Sequence, residues 1–217
     1  MGGDTGARLV RHAGCARAEM KRTGSRKLED VTKHRTQARH SSPRSQESKA
    51  VQWAFISLGA NLGDPKRTIL EAINCLREYS DKPVLRSSIW QTPPVDCPPG
   101  SPPFLNAVIA IVPRSGETPQ SLLAKLHELE KSFGRKQKKI LNEARPLDLD
   151  LIAFGNETSS TMELRLPHPR AHLRRFVLEP LSEIAPNLLL VGQSKTVSQL
   201  LDSLPREQGM RKLCRAS

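Results

Sequence analysis

The residues of this chain best suited to chemistry gather in Arg145-Pro146-Leu147-Asp148-Leu149-Asp150-Leu151-Ile152. Residues 149–154 are apolar apart from one acid and stop at Gly155-Asn156, the pattern of a buried strand running into a turn. Side chains alternate along a strand, so Asp148 and Asp150 share a face about 7 Å apart, while Leu147, Leu149 and Leu151 face a core. Two carboxylates on one face of an apolar strand repel each other and are costly to bury unless a cation lies between them. Such oxygen donors suit a hard ion such as Mg²⁺, which completes its shell with water and substrate phosphate. Arg145 adds a planar fork able to grip phosphate at two points. The trio points to metal-assisted phosphoryl chemistry, against the plainer reading of an edge strand with one solvated face, which gives the same Leu–Asp alternation.

The 217 residues suffice for one domain with its own core and some extra length. No apolar run approaches the roughly 20 residues of a membrane span, and the N-terminus lacks the apolar stretch of a secretory signal. Cys15, Cys75, Cys97 and Cys214 lie far apart with no C-x-x-C pair, which fits a reducing cytosol and argues against a disulfide or metal framework. Of the net charge of +12, residues 1–50 carry more than half, with 12 Lys/Arg against 5 Asp/Glu. That segment keeps no helical or strand period and reads as a disordered basic extension. A basic arm for nucleic acid or membrane, a transit peptide or a mis-assigned start are the other readings. Residues 51–204 form the expected domain, and 205–217 a short basic tail.

Within the domain, Ala54–Leu58 reads as a strand that ends in a Gly59–Gly63 turn. A helix follows with Asp64 as its N-cap and Pro65 in its first turn. Val84–Trp90 is a second strand. It leads to a loop with six prolines between Pro93 and Pro103, which cannot pair inside a sheet and is long enough to be a lid or pocket wall. The apolar strand from Phe104 to Val112 carries one amide, Asn106, which must be hydrogen-bonded if buried. A helix from Thr118 to about Phe133 has Glu130 near its end. It passes through Gly134 into the basic run Arg135-Lys136-Gln137-Lys138-Lys139, either a solvated hinge or a phosphate clamp. His168 stands between two prolines, with Arg170, Arg174 and Arg175 close behind.

In this order the pieces resemble the 6-hydroxymethyl-7,8-dihydropterin pyrophosphokinases of the folate pathway. The resemblance rests on Ile56-Ser-Leu-Gly-Ala-Asn-Leu-Gly63, Gln91-Thr-Pro-Pro94, Phe104-Leu-Asn106, Glu130-x-x-x-Gly-Arg135, Arg145–Asp150 and Leu166-Pro-His-Pro169 with Arg174-Arg-Phe176. It implies an α/β (α+β) ferredoxin-like domain, a mainly antiparallel sheet with helices on both faces in three layers. The implied activity is an ATP-dependent diphosphokinase that gives AMP and a pterin diphosphate. Asp148 and Asp150 would hold two Mg²⁺ ions. Arg135, Arg145, Asp148 and Asp150 would be the catalytic set. ATP would meet Glu130, Arg135, Arg145, Ile152, His168 and Arg174. The pterin would meet Thr92, Pro93, Pro94, Val95, Phe104, Asn106 and Phe176. Gln137, Asn142-Glu143-Ala144 and Phe104 depart from residues common in the family, which touches loop closure more than the reaction. A stand-alone cytoplasmic monomer is the family-like expectation. The competing class is a basic nucleic-acid-binding module on a ferredoxin-like sheet, for which one tyrosine and five phenylalanines supply few stacking rings.

Overall fold

The computed structural model describes residues 51–94, 97–135, 144–206 and 209–215. The expected N-terminal extension, Val95, Lys136–Lys139 and Asn142-Glu143 lie outside the described residues.

Strand β1 (Ala54–Ala60) leads to helix α1 (Pro65–Arg77), then to β2 (Leu85–Arg86), β3 (Ser88–Thr92) and β4 (Phe104–Ile111). Helix α2 (Pro119–Ser132), β5 (Asp148–Phe154), the hairpin β6 (Ser159–Ser160) and β7 (Arg165–Leu166), a 3-10 turn (Ala171–Leu173), α3 (Arg175–Ile184), α4 (Val197–Ser203) and β8 (Arg211–Arg215) complete it. The main sheet runs β5-β1-β4-β3-β8, with β2 also on β4 and every pairing antiparallel. The β1-α1-β3-β4-α2-β5 core is the ferredoxin-like arrangement.

Local chemistry sets the helix ends as the sequence suggests. Asp64 accepts from the Arg67 N–H at 3.1 Å, and Pro65 fills the first turn, where no N–H is needed. Thr118 and Ser121 form a reciprocal capping box at the start of α2. Gly134, at φ +86°, turns the chain out of α2 toward Arg135.

Two apolar layers flank the sheet. Ile56, Leu58, Ile109, Leu149 and Leu151 pack with Ile69, Ile73, Leu122 and Leu126 of α1 and α2. Phe55, Val108, Ala110 and Ile152 on the other face pack with Val177, Leu178, Leu181 and Val197 of α3 and α4. Each fully buried Leu or Ile side chain contributes about 1.5–3 kcal/mol. Helices α3 and α4 cover only part of their face. Toward the other end of β1, β4 and β5 the same face carries Ser57, Gly59, Asn106, Asp148 and Asp150 and is open.

Two expectations change. The strand expected over Val84–Trp90 is broken at Ser87, whose hydroxyl accepts from the Val108 N–H at 2.9 Å and donates to the Ser88 carbonyl at 2.7 Å. The stretch read as a C-terminal tail contains β8, which pairs with β3 from Ser88 to Gln91. Glu183 helps hold it there: the carboxylate accepts from the Ser88 N–H, the Trp90 indole and Lys212 at 2.7–3.0 Å.

Candidate active site

The cleft over the open part of the sheet has a volume of about 730 Å³. Its floor follows from strand register. Asp150 stands opposite Ser57, and Asp148 opposite Gly59, which in turn faces Asn106. Gly59 is small for a reason: a Cβ there would lie 3.2 Å from Asn106 Oδ1 and 3.8 Å from Asp148 Cβ. The floor thus puts an amide and two carboxylates side by side with a bare backbone between them.

Among the described residues six arginines line the cleft: Arg135, Arg145, Arg170, Arg174, Arg175 and Arg206. Asp148 Oδ1 is 2.9 Å from both Arg135 and Arg145, and Arg174 approaches Asp150 Oδ2 at 4.0 Å. Burial, and after it the neighbouring Asp148 carboxylate, pushes the Asp150 carboxyl up to about 6. Ionising both carboxylates therefore costs more than ionising one alone, a cost that added positive charge lowers. Arginines outnumber the aspartates, so the cleft as a whole attracts anions. Oxygen donors that lack one more cation, in a cleft built for an anion, match Mg²⁺ carried with a polyphosphate. Among the described residues no group of three or more His, Cys, Asp or Glu side chains could hold an ion alone, so phosphate oxygens and water would complete the shell.

His168 reaches the cleft from the segment after β7. Its N–H donates to the Ile152 carbonyl at 2.8 Å, which ties the segment to the edge of β5. Burial, then Arg174 and Arg170, hold its pKa down at about 4, so the ring is neutral at pH 7. Nδ1 accepts from the Arg170 N–H at 3.3 Å. The remaining proton belongs on Nε2, which leaves an uncharged donor for a phosphate oxygen.

The opposite half of the cleft is a slot. Phe104, Phe176, Thr92, Pro93 and Asn106 line it. Asn106 donates through Nδ2 to Thr92 Oγ1 at 2.8 Å, which leaves its Oδ1 as the acceptor beside Gly59. The Arg174 guanidinium lies 5.4 Å from the Phe176 ring centre, so one residue touches both the ring slot and the anion floor.

Most sequence-selected residues meet here: Arg135, Arg145, Asp148, Asp150, His168 and Arg174 on the anion side, with Thr92, Pro93, Phe104, Asn106 and Phe176 on the ring side. Three of the residues expected at the site stand outside the cleft lining. Ile152 is fully buried under α3, because β5 runs from the open floor into the second core, so its side chain is no part of the cleft wall. Pro94 is exposed and does not line the cleft. Glu130 is 3% exposed and works beneath the floor: it accepts from the Leu149 N–H at 2.7 Å and pairs with Arg135. Burial pushes its pKa up to about 7, while the Leu149 N–H and Arg135 oppose that rise. Val95 lies outside the described residues.

Sequence reasoning did not single out Asn61. Buried at the end of β1, it accepts from the Arg145 N–H at 2.8 Å, and its own N–H donates to the Arg145 carbonyl at 3.2 Å. The signal available was an asparagine inside a glycine-flanked turn, a residue able to bond backbone it does not adjoin in sequence.

Residues 55–186 match the family described as 7,8-dihydro-6-hydroxymethylpterin-pyrophosphokinase. A Haemophilus influenzae protein, 2-amino-4-hydroxy-6-hydroxymethyldihydropteridine pyrophosphokinase, is 34% identical over 149 residues, 68% of this chain and 90% of that protein. The folate synthesis bifunctional protein of Arabidopsis thaliana is 33% identical over 140 residues, 64% of this chain and 28% of that one. A crystal structure of Plasmodium falciparum HPPK-DHPS with pteroate superposes with a TM-score of 0.55 at 15% identity, covering 70% of this chain and 42% of that chain, a likeness of fold. The chain thus spans well under half of the two larger proteins and corresponds to nearly all of the smaller one.

Proposed function

This chain belongs to the 7,8-dihydro-6-hydroxymethylpterin-pyrophosphokinase family, and on that premise we propose that it transfers the pyrophosphoryl group of ATP to 6-hydroxymethyl-7,8-dihydropterin, a step of folate biosynthesis. The observation that carries the reading is the union, in one cleft, of an arginine-and-carboxylate floor with a ring-and-amide slot. The first suits a triphosphate, the second a flat heterocycle with a polar edge.

In the reaction the pterin hydroxymethyl oxygen bonds to the β-phosphorus of ATP. The bond from that phosphorus to the oxygen bridging it to the α-phosphorus breaks, AMP leaves with the electron pair, and the hydroxyl proton passes to water. Mg²⁺, two ions on this reading, supplies charge neutralisation and polarisation of the transferred group when bound, with Asp148 and Asp150 as its protein ligands. Arg135, Arg145 and Arg174 hold phosphate oxygens, and His168 adds its neutral N–H. Asn106 Oδ1 accepts from the pterin edge, and Phe104 and Phe176 sandwich the ring. Most of the rate enhancement comes from aligning the hydroxyl with the β-phosphorus and stabilising charge on the equatorial oxygens. Glu130 acts from below by anchoring Arg135 and the Leu149 backbone, which keeps Asp148 on its face.

The machinery extends from residue 51 through the cleft-lining Arg206 and the β8 strand, with residues 1–50 a basic extension, and the protein works as a cytosolic monomer. Among the described residues no helix is long and apolar enough to cross a membrane. The nucleic-acid reading gains no support, since the family match and the relatives that cover most of their own length are pyrophosphokinases.

The test is product analysis of the full chain with ATP, Mg²⁺ and the pterin. AMP formed only when the pterin is present supports the proposal. ADP as the adenine product, or AMP formed at the same rate without the pterin, overturns it.

A further inference from the structure

Residues beyond the family match build part of the cleft. Leu204, Pro205 and Arg206 line it, although the match ends at residue 186. Two ties hold this end of the chain. Arg175 donates through Nη1 to the carbonyls of Leu201, Leu204 and Pro205 at 3.2, 3.0 and 3.3 Å, while its other nitrogens grip Glu179 at 2.9 and 3.1 Å. Farther on, Arg211 opposes Gln91 in the β3–β8 pairing and binds its Oε1 at 2.9 and 3.2 Å. Arg175 adjoins Phe176 in sequence, and Gln91 adjoins Thr92. The C-terminal segment is therefore fastened at both margins of the ring slot.

Arg206 is exposed, lines the cleft, and has no carboxylate within ion-pair distance among the described residues. Four of the other lining arginines pair with Asp148, Asp150, Glu130 or Glu179. A further cation held among arginines is repelled by them until an anion enters. The substrate pterin is neutral, whereas the transferred group and the product carry a diphosphate attached to the ring. We infer that Arg206 is a binding residue that contacts the diphosphate of the pterin product, from a segment beyond the family match. This rests on the proposed reaction.

The experiment is equilibrium binding, by pterin fluorescence at fixed ionic strength, of 6-hydroxymethylpterin and its diphosphate ester to the full chain. The proteins are wild type, Arg206→Ala, Arg206→Lys and, as a control for lost charge, Arg77→Ala on the far side of the sheet. Arg206→Ala should weaken the diphosphate about tenfold and the neutral pterin less than twofold, because one charge-assisted contact is lost. Arg206→Lys should recover part of the loss, and Arg77→Ala should change neither. Equal weakening of both ligands would overturn the inference by making the segment only a wall, and so would an unchanged diphosphate affinity. A wild-type protein that binds neither pterin would overturn the proposed function itself, a result distinct from either.

Discussion

Replacing Glu130 by glutamine sets two opposing forces against each other. The carboxyl is 3% exposed, and burial moves it from its ordinary 4.5 to about 7, even though Arg135 and the Leu149 N–H both favour the ionised form. A difference of about 2.5 pH units is worth about 3 kcal/mol at 1.36 kcal/mol per unit. Because the folded-state value lies above the unfolded one, the protonated carboxyl contributes this stability in full below about pH 4.5. It is lost as pH rises through about 7. Glutamine keeps an acceptor for the Leu149 N–H and does not titrate. Urea unfolding of both proteins from pH 4.5 to 8 should therefore show the variant gaining on the wild type by up to about 3 kcal/mol as pH rises. In melting temperature that is several degrees for a domain of this size. Groups that do not interact with Glu130, such as His168, cancel in the difference, whereas the nearby Asp148 and Asp150 carboxylates add to the Glu130 rise and are part of the effect. A difference that stays constant across the range would refute the reasoning. It would mean that Arg135 and the backbone donor offset burial completely and that Glu130 is ionised throughout.

Asp148→Asn and Asp150→Asn should each lower pyrophosphoryl transfer by about 10³-fold at saturating Mg²⁺ with circular dichroism unchanged; turnover within tenfold of wild type would refute their part in the chemistry. Gly59→Ala places a methyl 3.2 Å from Asn106 Oδ1. It should raise the pterin KM about tenfold and leave the ATP KM within twofold, and an unmoved pterin KM would show that Asn106 does not read the ring. His168, with its folded-state pKa near 4, below the ordinary 6.5, contributes stability that is present above about pH 6.5 and lost as pH falls toward 4. Its ring resonances should show no titration above about pH 5, and a midpoint near 6.5 would refute the buried, neutral assignment.

Where the sequence carried a periodic signal, the fold was legible in it. Leucines at 147, 149 and 151 alternating with Asp148 and Asp150 announce a strand with an apolar and a polar face, and the structure has it. Asp64-Pro65 and Thr118-Pro119 mark helix starts because capping is local chemistry. β8 escaped because Arg211-Lys212-Leu213 shows no apolar alternation, as an edge strand half in water need not. Ile152 shares a face with Asp150 but lies in the core under α3, since alternation says which face a side chain takes and not whether a helix covers that part of the face. Glu130 and Asn61 were harder still. Their partners, Leu149 and Arg145, lie 19 and 84 residues away, and only the closed sheet brings them together.

Along the β1–β5 pair the passage from core to cleft happens within a single face, between Phe55 and Ser57 and between Ile152 and Asp150. A slip of two residues would leave every side chain on its own face, so burial alone discriminates weakly against it. Chemistry would not survive it, for Ile152 would then stand where Asp150 belongs. The pairing of β1 with β5 shifts register between Phe55 and Ile56, and such an irregularity admits one alignment and disfavours its neighbours. Turnover per folded molecule is thus a gauge of strand alignment finer than any melting curve, and the irregularity at Phe55 is what keeps that gauge at full scale.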